Sequence, residues 1–393
     1  MKKIHNTIII IITFMILLVT VSCGEKKPIG SSPSPVSPII ITPMLPVTTK
    51  TINPPSISEP QPTLKEEAVL SIAYIKNGNI WFTQGNEPAN PLMDSGGVVR
   101  LALSSDSKTI AYEKRVDDYH SELWSVNTDS KEQHLLISVD EFNNFEREKW
   151  LENAKSLVPY HFDFIPNTHI LAFNTRMTFE EPGLALFDDL RLVNTDTNEK
   201  LTLLPRGQCG EFVYSPDGQQ ITVITPTSIS LINTDGSNRR QMLSYSMVST
   251  YSEYIYYALP IWSADSKSLR VAIPPADPLG IPREATTLWS IPTDGNSASQ
   301  IGSIMAAPFG GIENAFSPDF SHVIYTSESN ASGQIQLDLH LANADGTNDT
   351  ILMSNPFIAF YGWAPDSQHF IVSAGEPALV QLGDLNKNFH PIA

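Results

Sequence analysis

The chain has 393 residues and a formal net charge of −17, because 42 acidic residues outnumber 25 lysines and arginines. Charge of this sign argues against nucleic acid as a partner and against adhesion to anionic lipid through charge. Neutral glycans, cations and basic proteins remain as ligands, although acidity also serves simply to keep an exported domain soluble.

The N-terminus has the features of a secretory signal. Two lysines precede an apolar run over residues 8–21, which is shorter than the roughly 20 residues that cross a bilayer as a helix. Ser22 followed by Cys23 resembles the bacterial lipobox, from which the sequence departs at Thr20. The resemblance implies a lipoprotein with a signal peptide over 1–22, held on the extracytoplasmic side of the cell membrane only through a fatty-acyl (palmitate) anchor on Cys23. An ordinary signal peptide cut nearby is the alternative.

A proline-rich segment separates this signal from the rest of the chain. Ten prolines lie between Pro28 and Pro62, and this density favours extended polyproline II and prevents a packed core. We therefore predict a disordered linker over residues 23–66 and a folded domain over residues 67–393. The short apolar piece 39–41 could instead dock on the domain.

One short motif recurs through the domain and organises it. In its clearest copy, Tyr214 is followed by Ser215, Pro216, Asp217 and Gly218, with serine, proline and glycine at the places that a type I turn favours. The Asp217 carboxylate can bond its own backbone and hold the turn closed. The other copies are centred on the corresponding residues Asp106, Asn167, Asp265, Asp319 and Asp366. We expect these aspartates to be structural turn residues.

The spacing of the motif predicts the fold. It returns about every 50 residues, and a second turn such as that from Asn233 to Gly236 follows within most repeats. Each repeat is therefore interpreted as four short strands that must stack on neighbours around an axis, which predicts an all-β fold, a β-propeller of four-stranded blades. Six full repeats and a partial one near Ile72 predict seven blades, with six as the alternative. Residues 389–393 could supply the strand that closes the ring.

The motif also carries a family resemblance. An aromatic residue, then Ser-Pro-Asp-Gly, then a strand such as Ile110-Ala111-Tyr112 resembles the WD40-like repeat of the TolB family of bacterial envelope propellers. The pattern is also similar to the propeller domains of prolyl-oligopeptidase-type enzymes. The resemblance covers about residues 70–393 and implies the propeller fold, but it says little about activity. Most copies lack the turn glycine, which suggests that the turn tolerates other residues.

Differences in loop length indicate where a ligand would bind. The first turn keeps its length, whereas the loops after each second strand and between blades vary, and all of these lie on one face of a propeller. Insertions on one face of a repeat protein often mark its binding face. One insertion, residues 142–157, is predicted to contain a short helix. The predicted ligand-binding residues on this face are Arg100, His161, Glu211, Glu313, Tyr251 and Tyr254.

These residues have two origins. The first four begin innermost strands and would ring the channel mouth, while Tyr251 and Tyr254 belong to the tyrosine-rich loop 244–257. Tyrosine offers a wide contact area with a polar tip, which suits recognition of glycan or protein. The simpler interpretation is that the charged groups only solvate a water-filled channel.

Catalytic motifs are missing from the sequence. It has no G-x-S-x-G, H-E-x-x-H, P-loop or C-x-x-C motif, and its nine histidines show no metal-ligand spacing. No cofactor and no metal are therefore expected. The main expectation is a monomeric, non-catalytic propeller that presents a binding or scaffold surface to an envelope protein or glycan. The alternative is a glycan-acting hydrolase or lyase with carboxylates such as Glu211 and Glu313 at the channel mouth.

Overall fold

Seven antiparallel sheets follow one another along the chain in the computed structural model, which describes residues 40–42, 71–85, 87–180, 185–308, 312, 315–331 and 334–391. Each sheet is one blade of a seven-bladed β-propeller, numbered 1 to 7 in chain order. All of these residues belong to the unit Ser37–Ala393. The prediction of an all-β propeller with seven blades is confirmed, and the six-bladed alternative is wrong.

Blades 1 to 3 come from the N-terminal part of the chain. Blade 1 consists of β1 (Ile40–Thr42), β2 (Ser71–Lys76), β3 (Asn79–Gln84) and β4 (Asn90–Pro91). Blade 2 consists of β5 (Val98–Leu103), β6 (Thr109–Arg115), β7 (Ser121–Asn127) and β8 (Gln133–Ile137). Blade 3 consists of β9 (Ser156–Phe164), β10 (Ile170–Thr178), β11 (Ala185–Leu186), β12 (Leu190–Asn194) and β13 (Lys200–Leu204), of which β11 is a short addition beside β10.

Blades 4 to 7 repeat the antiparallel order. Blade 4 consists of β14 (Glu211–Tyr214), β15 (Gln220–Thr225), β16 (Ser228–Asn233) and β17 (Arg240–Ser244). Blade 5 consists of β18 (Ile261–Trp262), β19 (Ser268–Ile273), β20 (Thr286–Pro292) and β21 (Ser299–Ile304). Blade 6 consists of β22 (His322–Ala331), β23 (Gln334–Asn343) and β24 (Thr350–Asn355), with a bridge from Phe316 to Val323 in place of a first strand. Blade 7 consists of β25 (Ile358–Trp363), β26 (His369–Ala374), β27 (Leu379–Asp384) and β28 (Phe389–Pro391).

The recurrent turn closes in the way that its residue types require. Asp217 Oδ1 accepts hydrogen bonds from the Ser215 hydroxyl at 2.6 Å and from the Gln219 N–H at 3.0 Å. The Gly218 N–H donates to the Ser215 carbonyl at 2.8 Å, which reverses the chain between β14 and β15. A carboxylate oxygen accepts a backbone N–H within the same turn at four other aspartates, Asp106, Asp265, Asp319 and Asp366.

The glycine position of this turn has a left-handed backbone in five copies. Gly218 has a φ of 68°, and four residues with side chains adopt the same region: Ser107, Ser266, Phe320 and Ser367. The turn therefore accepts other residues, but in a conformation that costs an L-residue free energy. Ser266 offsets this cost because its hydroxyl accepts the Asp217 N–H of the preceding blade at 3.1 Å. That hydrogen bond links the first turns of blades 4 and 5.

Blade 1 is completed by a strand from the predicted linker. β1 pairs antiparallel with β2, with Ile41 opposite Ile72, so residues 40–42 take the place of a first strand. The C-terminal β28 pairs with β27 inside blade 7, and the idea that it closes the ring is wrong. The predicted signal peptide, Cys23 and the rest of the predicted linker lie outside the described residues.

The core lies between neighbouring blades, as stacked sheets require. One cluster joins Leu123 of blade 2 to Phe173 of blade 3 and includes Phe142. Phe142 lies on α1 (Val139–Asn144), and a capping box formed by Ser138 and Glu141 marks the start of this helix. A 3-10 helix (Arg147–Lys149) follows α1. The predicted short helix is thus present with an earlier start. Among the described residues, no helix is long and apolar enough to span a bilayer.

Candidate functional site

Three of the predicted site residues lie on the first strands of blades 2, 3 and 4, each three positions before the last residue of its strand. Arg100 lies on β5, His161 on β9 and Glu211 at the first position of β14. Arg100 Nη2 donates to the Pro159 carbonyl at 2.6 Å, which joins blade 2 to blade 3. His161 Nδ1 lies 2.9 Å from Glu211 Oε2, which joins blade 3 to blade 4. These contacts link the first strands of three successive blades, upstream of their recurrent turns.

The His161–Glu211 pair is closely surrounded by protein. Glu211 is 6% exposed, and the His161 ring stacks on Phe212 with the centroids 4.7 Å apart. Burial lowers the pKa of His161, but the hydrogen bond and the negative charge of Glu211 outweigh it, so the pKa is raised above its usual value of 6.5. Part of the imidazole stays accessible to solvent, since 36% of the His161 side-chain surface is exposed. Since Nδ1 faces Glu211, Nε2 is the ring nitrogen left for a ligand.

Asn174 and Gly210 hold the backbone around this pair. Asn174 is 1% exposed, accepts the His161 N–H on Oδ1 at 2.7 Å and donates from Nδ2 to the Gly210 carbonyl at 2.8 Å. Gly210 directly precedes Glu211 and has a φ of 115°, and a Cβ there would lie 2.1 Å from the Ile224 carbonyl oxygen. Only glycine can therefore lead the chain into β14 at this point.

Two arginines act on the same end of the channel. Arg100 Nε donates to Glu113 Oε2 at 2.8 Å, and Glu113 is 3% exposed. Arg176, on β10, is half-buried, and burial and then the charge of Arg100 lower its pKa. Within the described part of the chain, no carboxylate forms an ion pair with Arg176, although Glu113 acts on it over a longer distance. A half-buried guanidinium of this kind suits an anionic ligand that binds through both oxygens.

Acidic groups balance these cations. Asp188 accepts the Tyr257 hydroxyl at 3.2 Å, and burial raises the pKa of Asp188 against this hydrogen bond. Asp163 lies two residues beyond His161 on β9 and is solvent accessible, yet the surrounding channel wall still acts as burial and raises its pKa. The cluster therefore has both signs of charge, as the sequence predicted for the mouth, and the pKa values of His161, Asp163, Arg176 and Asp188 are shifted from their ordinary values.

The other predicted ligand-binding residues differ in position. Glu313 lies outside the described residues. Tyr251 and Tyr254 are 60% and 56% exposed, and residues 247–252, 254 and 255 of their loop line a cavity of about 520 Å³. Tyr251 has a φ of 55°, and its hydroxyl donates to Asp277 on the next long loop. The tyrosine loop leads to the mouth, because it ends at Tyr257, the partner of Asp188.

Sequence analysis missed several residues of the site. Arg176, Asn174 and Asp163 belong to no recognisable motif, so the sequence did not indicate a role for them. A signal for Asp163 was its position two residues after His161, because alternate residues of a strand share a face. No comparable local signal pointed to Asn174, whose partners lie 13 and 36 residues away.

Comparison with known proteins places the fold. No protein-family model and no curated protein matches the chain. An oligogalacturonate lyase solved in complex with manganese aligns with a TM-score of 0.52 and 14% identity, over 78% of this chain and 82% of that chain. An oligogalacturonate lyase from Vibrio parahaemolyticus aligns with a TM-score of 0.52 and 13% identity, over 78% and 83%. TolB from Acinetobacter baumannii aligns with a TM-score of only 0.40 and 15% identity, over 70% of this chain and 61% of that chain.

The likeness establishes the fold and corrects one expectation. At the level of fold, the seven blades confirm the prediction of a β-propeller. The expectation of a non-catalytic propeller is contradicted, because the lyases that share this fold over most of their length are enzymes. The alternative of a glycan-acting hydrolase or lyase is better supported, as a lyase. The manganese belongs to the first of these lyases. Within the described residues, no group of three or more His, Cys, Asp or Glu is placed to hold a metal ion.

Proposed function

We propose that this protein is a lyase that cleaves uronate-containing glycans by β-elimination at the channel mouth. The observation that carries the proposal is the pairing of His161 with the buried Glu211 at 2.9 Å. Arg176, a half-buried guanidinium on the neighbouring strand β10, has no ion-paired carboxylate among the described residues. A base and a carboxylate-binding cation are the two groups that this reaction requires. The fold shared with the oligogalacturonate lyases supports the choice of reaction.

Arg176 binds the carboxylate of the uronate in this proposal. A bidentate carboxylate supplies the guanidinium with the charge partner that the described side chains do not provide. The accessible part of Arg100, whose other contacts are Glu113 and the Pro159 carbonyl, adds positive charge on the same side. Neutralising the carboxylate makes the neighbouring C–H more acidic and stabilises the negative charge that develops when its proton leaves.

His161 removes that proton. With Nδ1–H donated to Glu211, the neutral imidazole presents Nε2 as the acceptor, and Glu211 stabilises the imidazolium that forms. The C–H electron pair becomes a carbon–carbon double bond next to the carboxylate. The bond from the β-carbon to the glycosidic oxygen breaks, its electron pair stays with that oxygen, and the oxygen takes a proton from channel water. His161 later returns its own proton to water, so no water is consumed overall.

The rate should depend on pH through His161. Glu211 raises the pKa of His161 above 6.5, and only the neutral ring can accept a proton. The rate should therefore increase as the pH rises through this raised pKa. Glu211→Gln removes the negative charge, lowers the pKa of His161 and should move the increase to lower pH, with a smaller maximal rate because the imidazolium loses its counter-charge.

The experiment measures ultraviolet absorbance of the unsaturated product. The chain without residues 1–22, carrying Cys23→Ser, is incubated with oligogalacturonate, with alginate oligosaccharides and with a neutral glucan oligosaccharide as the control. We expect product from a uronate substrate only. His161→Gln should lower the rate by about 100-fold or more, as loss of a general base does. Arg176→Ala should lower it by about 100-fold, as loss of an electrostatic stabiliser does.

A matched variant separates the site from net charge. Arg283→Ala removes the same charge at a surface pair, where Arg283 Nη1 lies 3.1 Å from Glu328, and should leave the rate unchanged. The proposal fails if none of the uronate oligosaccharides gives unsaturated product. It also fails if new reducing ends form without unsaturation, which indicates a hydrolase, or if Arg176→Ala is as active as Arg283→Ala.

The surroundings of the enzyme form part of the proposal. The chain acts as a monomer on the extracytoplasmic side of the cell membrane, attached only through lipid on Cys23, and the basic start and apolar run of residues 1–22 support this. Tyr251 and Tyr254 offer their faces to sugar rings beyond the cleaved bond. Labelling with a fatty-acid analogue tests the anchor: Cys23→Ser should abolish labelling, and persistent labelling or membrane attachment at mature size contradicts the anchor.

A further inference from the structure

We infer that Asn174 is a positioning residue that sets the distance between His161 and Glu211. Its side chain reaches both partners of the pair through their backbones. Oδ1 accepts the N–H of His161 at 2.7 Å, and Nδ2 donates at 2.8 Å to the carbonyl of Gly210, the residue before Glu211. One buried amide thereby fastens blade 3 to blade 4 where the two catalytic side chains meet.

A β-bulge gives Asn174 this role. In the β9–β10 ladder, Phe162 pairs with Phe173 and Pro159 pairs with Thr175, so two residues of β9 lie opposite Asn174 alone. A bulge of this kind takes a residue out of the ladder and redirects its side chain. Here the two-residue side of the bulge is on β9, and the N–H of His161, one of those two residues, donates to Oδ1 of Asn174. Nδ2 of the same amide donates to the Gly210 carbonyl on the next blade.

The partner on blade 4 has little freedom to move. Gly210 has a φ of 115°, and the position of a Cβ would lie 2.1 Å from the Ile224 carbonyl oxygen and 3.3 Å from Tyr257 Cε1. The backbone at Gly210 therefore packs directly against β15 and the tyrosine loop. Because its carbonyl is fixed there, the Asn174 hydrogen bond transmits that position to β9.

Asparagine is the residue type that this contact needs. Its amide has an acceptor and a donor on one rigid plane, whereas aspartate has no donor for the Gly210 carbonyl and alanine has neither group. Because Asn174 is only 1% exposed, its two hydrogen bonds are shielded from water that would otherwise compete for the same groups. Losing them leaves the 2.9 Å contact between His161 and Glu211 to be held by the two side chains and by the stacking of the His161 ring on Phe212.

The expected consequence is a shift in titration and in rate. When the blades relax apart, Glu211 acts less on His161, so the pKa of His161 falls towards its usual value of 6.5. A displacement of about 1 Å at a catalytic group can lower a rate by about 100-fold. The effect on rate rests on the proposed function, whereas the effect on the pKa of His161 does not.

The test follows the His161 imidazole by NMR titration, with His161→Gln used to assign its signal. Asn174→Ala should lower the pKa of His161 and move the rising limb of the pH–rate profile to lower pH by the same amount. Asn174→Ser, which keeps a hydroxyl too short to reach both partners, should act in the same direction and serves if the alanine variant does not fold. Thr175→Val is the control, since it removes a buried hydrogen bond to Asp189 at 3.0 Å from the same strand.

A double-mutant cycle identifies the route of the effect. If Asn174 acts through the contact with Glu211, Asn174→Ala should not change the pKa of His161 once Glu211→Gln is present. An unchanged pKa in the folded Asn174 variants overturns the inference, as does an equal shift in Thr175→Val or a shift that persists in the Glu211→Gln background. A shifted pKa in a chain without lyase activity supports the positioning role and refutes the proposed function alone.

Discussion

Removal of the Asp217 carboxylate tests whether the recurrent turn stabilises the propeller. In the wild-type turn, Asp217 Oδ1 accepts the Ser215 hydroxyl at 2.6 Å and the Gln219 N–H at 3.0 Å. Asp217→Ala removes both hydrogen bonds. The Gln219 N–H retains a second acceptor, Ser215 Oγ at 3.2 Å, so no buried donor is left without a partner.

These contacts set the size of the expected loss. A hydrogen bond to a charged group contributes about 1.5–3 kcal/mol when it is shielded, and less where water competes. Asp217 is exposed, and one of its donors keeps another acceptor. We therefore expect Asp217→Ala to lower the free energy of unfolding by about 1–2 kcal/mol. Asp217→Asn keeps an acceptor oxygen without the charge and should lose less.

The pH dependence gives a second check. Burial raises the pKa of Asp217, but the hydrogen bonds from Ser215 and Gln219 outweigh it, so the pKa is lowered from 3.8. The carboxylate therefore stabilises the fold above pH 3.8, and this contribution is lost as the pH falls through the lowered pKa. Urea unfolding followed by tryptophan fluorescence should show a difference between wild type and Asp217→Ala at neutral pH that shrinks in acid.

The control is Asp129→Ala, in the second turn of blade 2, where the carboxylate accepts no hydrogen bond from the described residues. Its own N–H donates to Asn127 Oδ1 at 3.0 Å, which the substitution preserves. The reasoning is refuted if Asp217→Ala unfolds like wild type, if Asp129→Ala is equally destabilised, or if the loss persists unchanged in acid.

Three further predictions concern the turns and the first blade. Ser107→Gly should raise the free energy of unfolding by about 0.5–1 kcal/mol, because Ser107 has a φ of 61° that glycine adopts without strain. Ser266→Gly should raise it by less, because this variant loses the hydrogen bond from the Asp217 N–H. Equal increases for the two variants in urea unfolding contradict this expectation. Burial lowers the pKa of His169, but its contacts with the carboxylates of Asp106 and Asp196 outweigh burial and raise the pKa of His169 above 6.5. These ion pairs therefore stabilise the fold below pH 6.5, and their contribution is lost as the pH rises through the raised pKa. The difference in melting temperature between wild type and His169→Gln should follow that course, and a difference independent of pH excludes it. A chain that begins after residue 66 lacks β1, whereas a chain that begins after residue 36 retains it. The shorter chain should have a lower melting temperature and a free energy of unfolding lower by about 1–3 kcal/mol; equal melting temperatures argue against a role for β1.

The repeat could be predicted from sequence because its chemistry is local. Ser215, Pro216, Asp217 and Gly218 satisfy one another within a single turn, so the same residue types at a regular spacing indicate the same turn wherever they occur. The ring positions Arg100, His161 and Glu211 followed from counting back along strands from those turns. Strand alternation and a fixed turn length were sufficient to place them at one end of the channel.

The sequence by itself thus determined the repeat, the blades built from it and the end of the channel that carries the charged residues, whereas it left both seven and six blades open. Only the tertiary structure decided which of those residues touch. His161 and Glu211 are 50 residues apart, and Asn174 and Gly210 are 36 apart; each contact depends on how two neighbouring sheets stack, which no local pattern encodes. The same holds for Arg176, whose lack of an ion-paired carboxylate among the described residues is visible only in three dimensions. The position of β1 was also decided only by the tertiary structure. A three-residue strand has too few residues to specify its partner, and β1 is held by pairing with the open edge of β2.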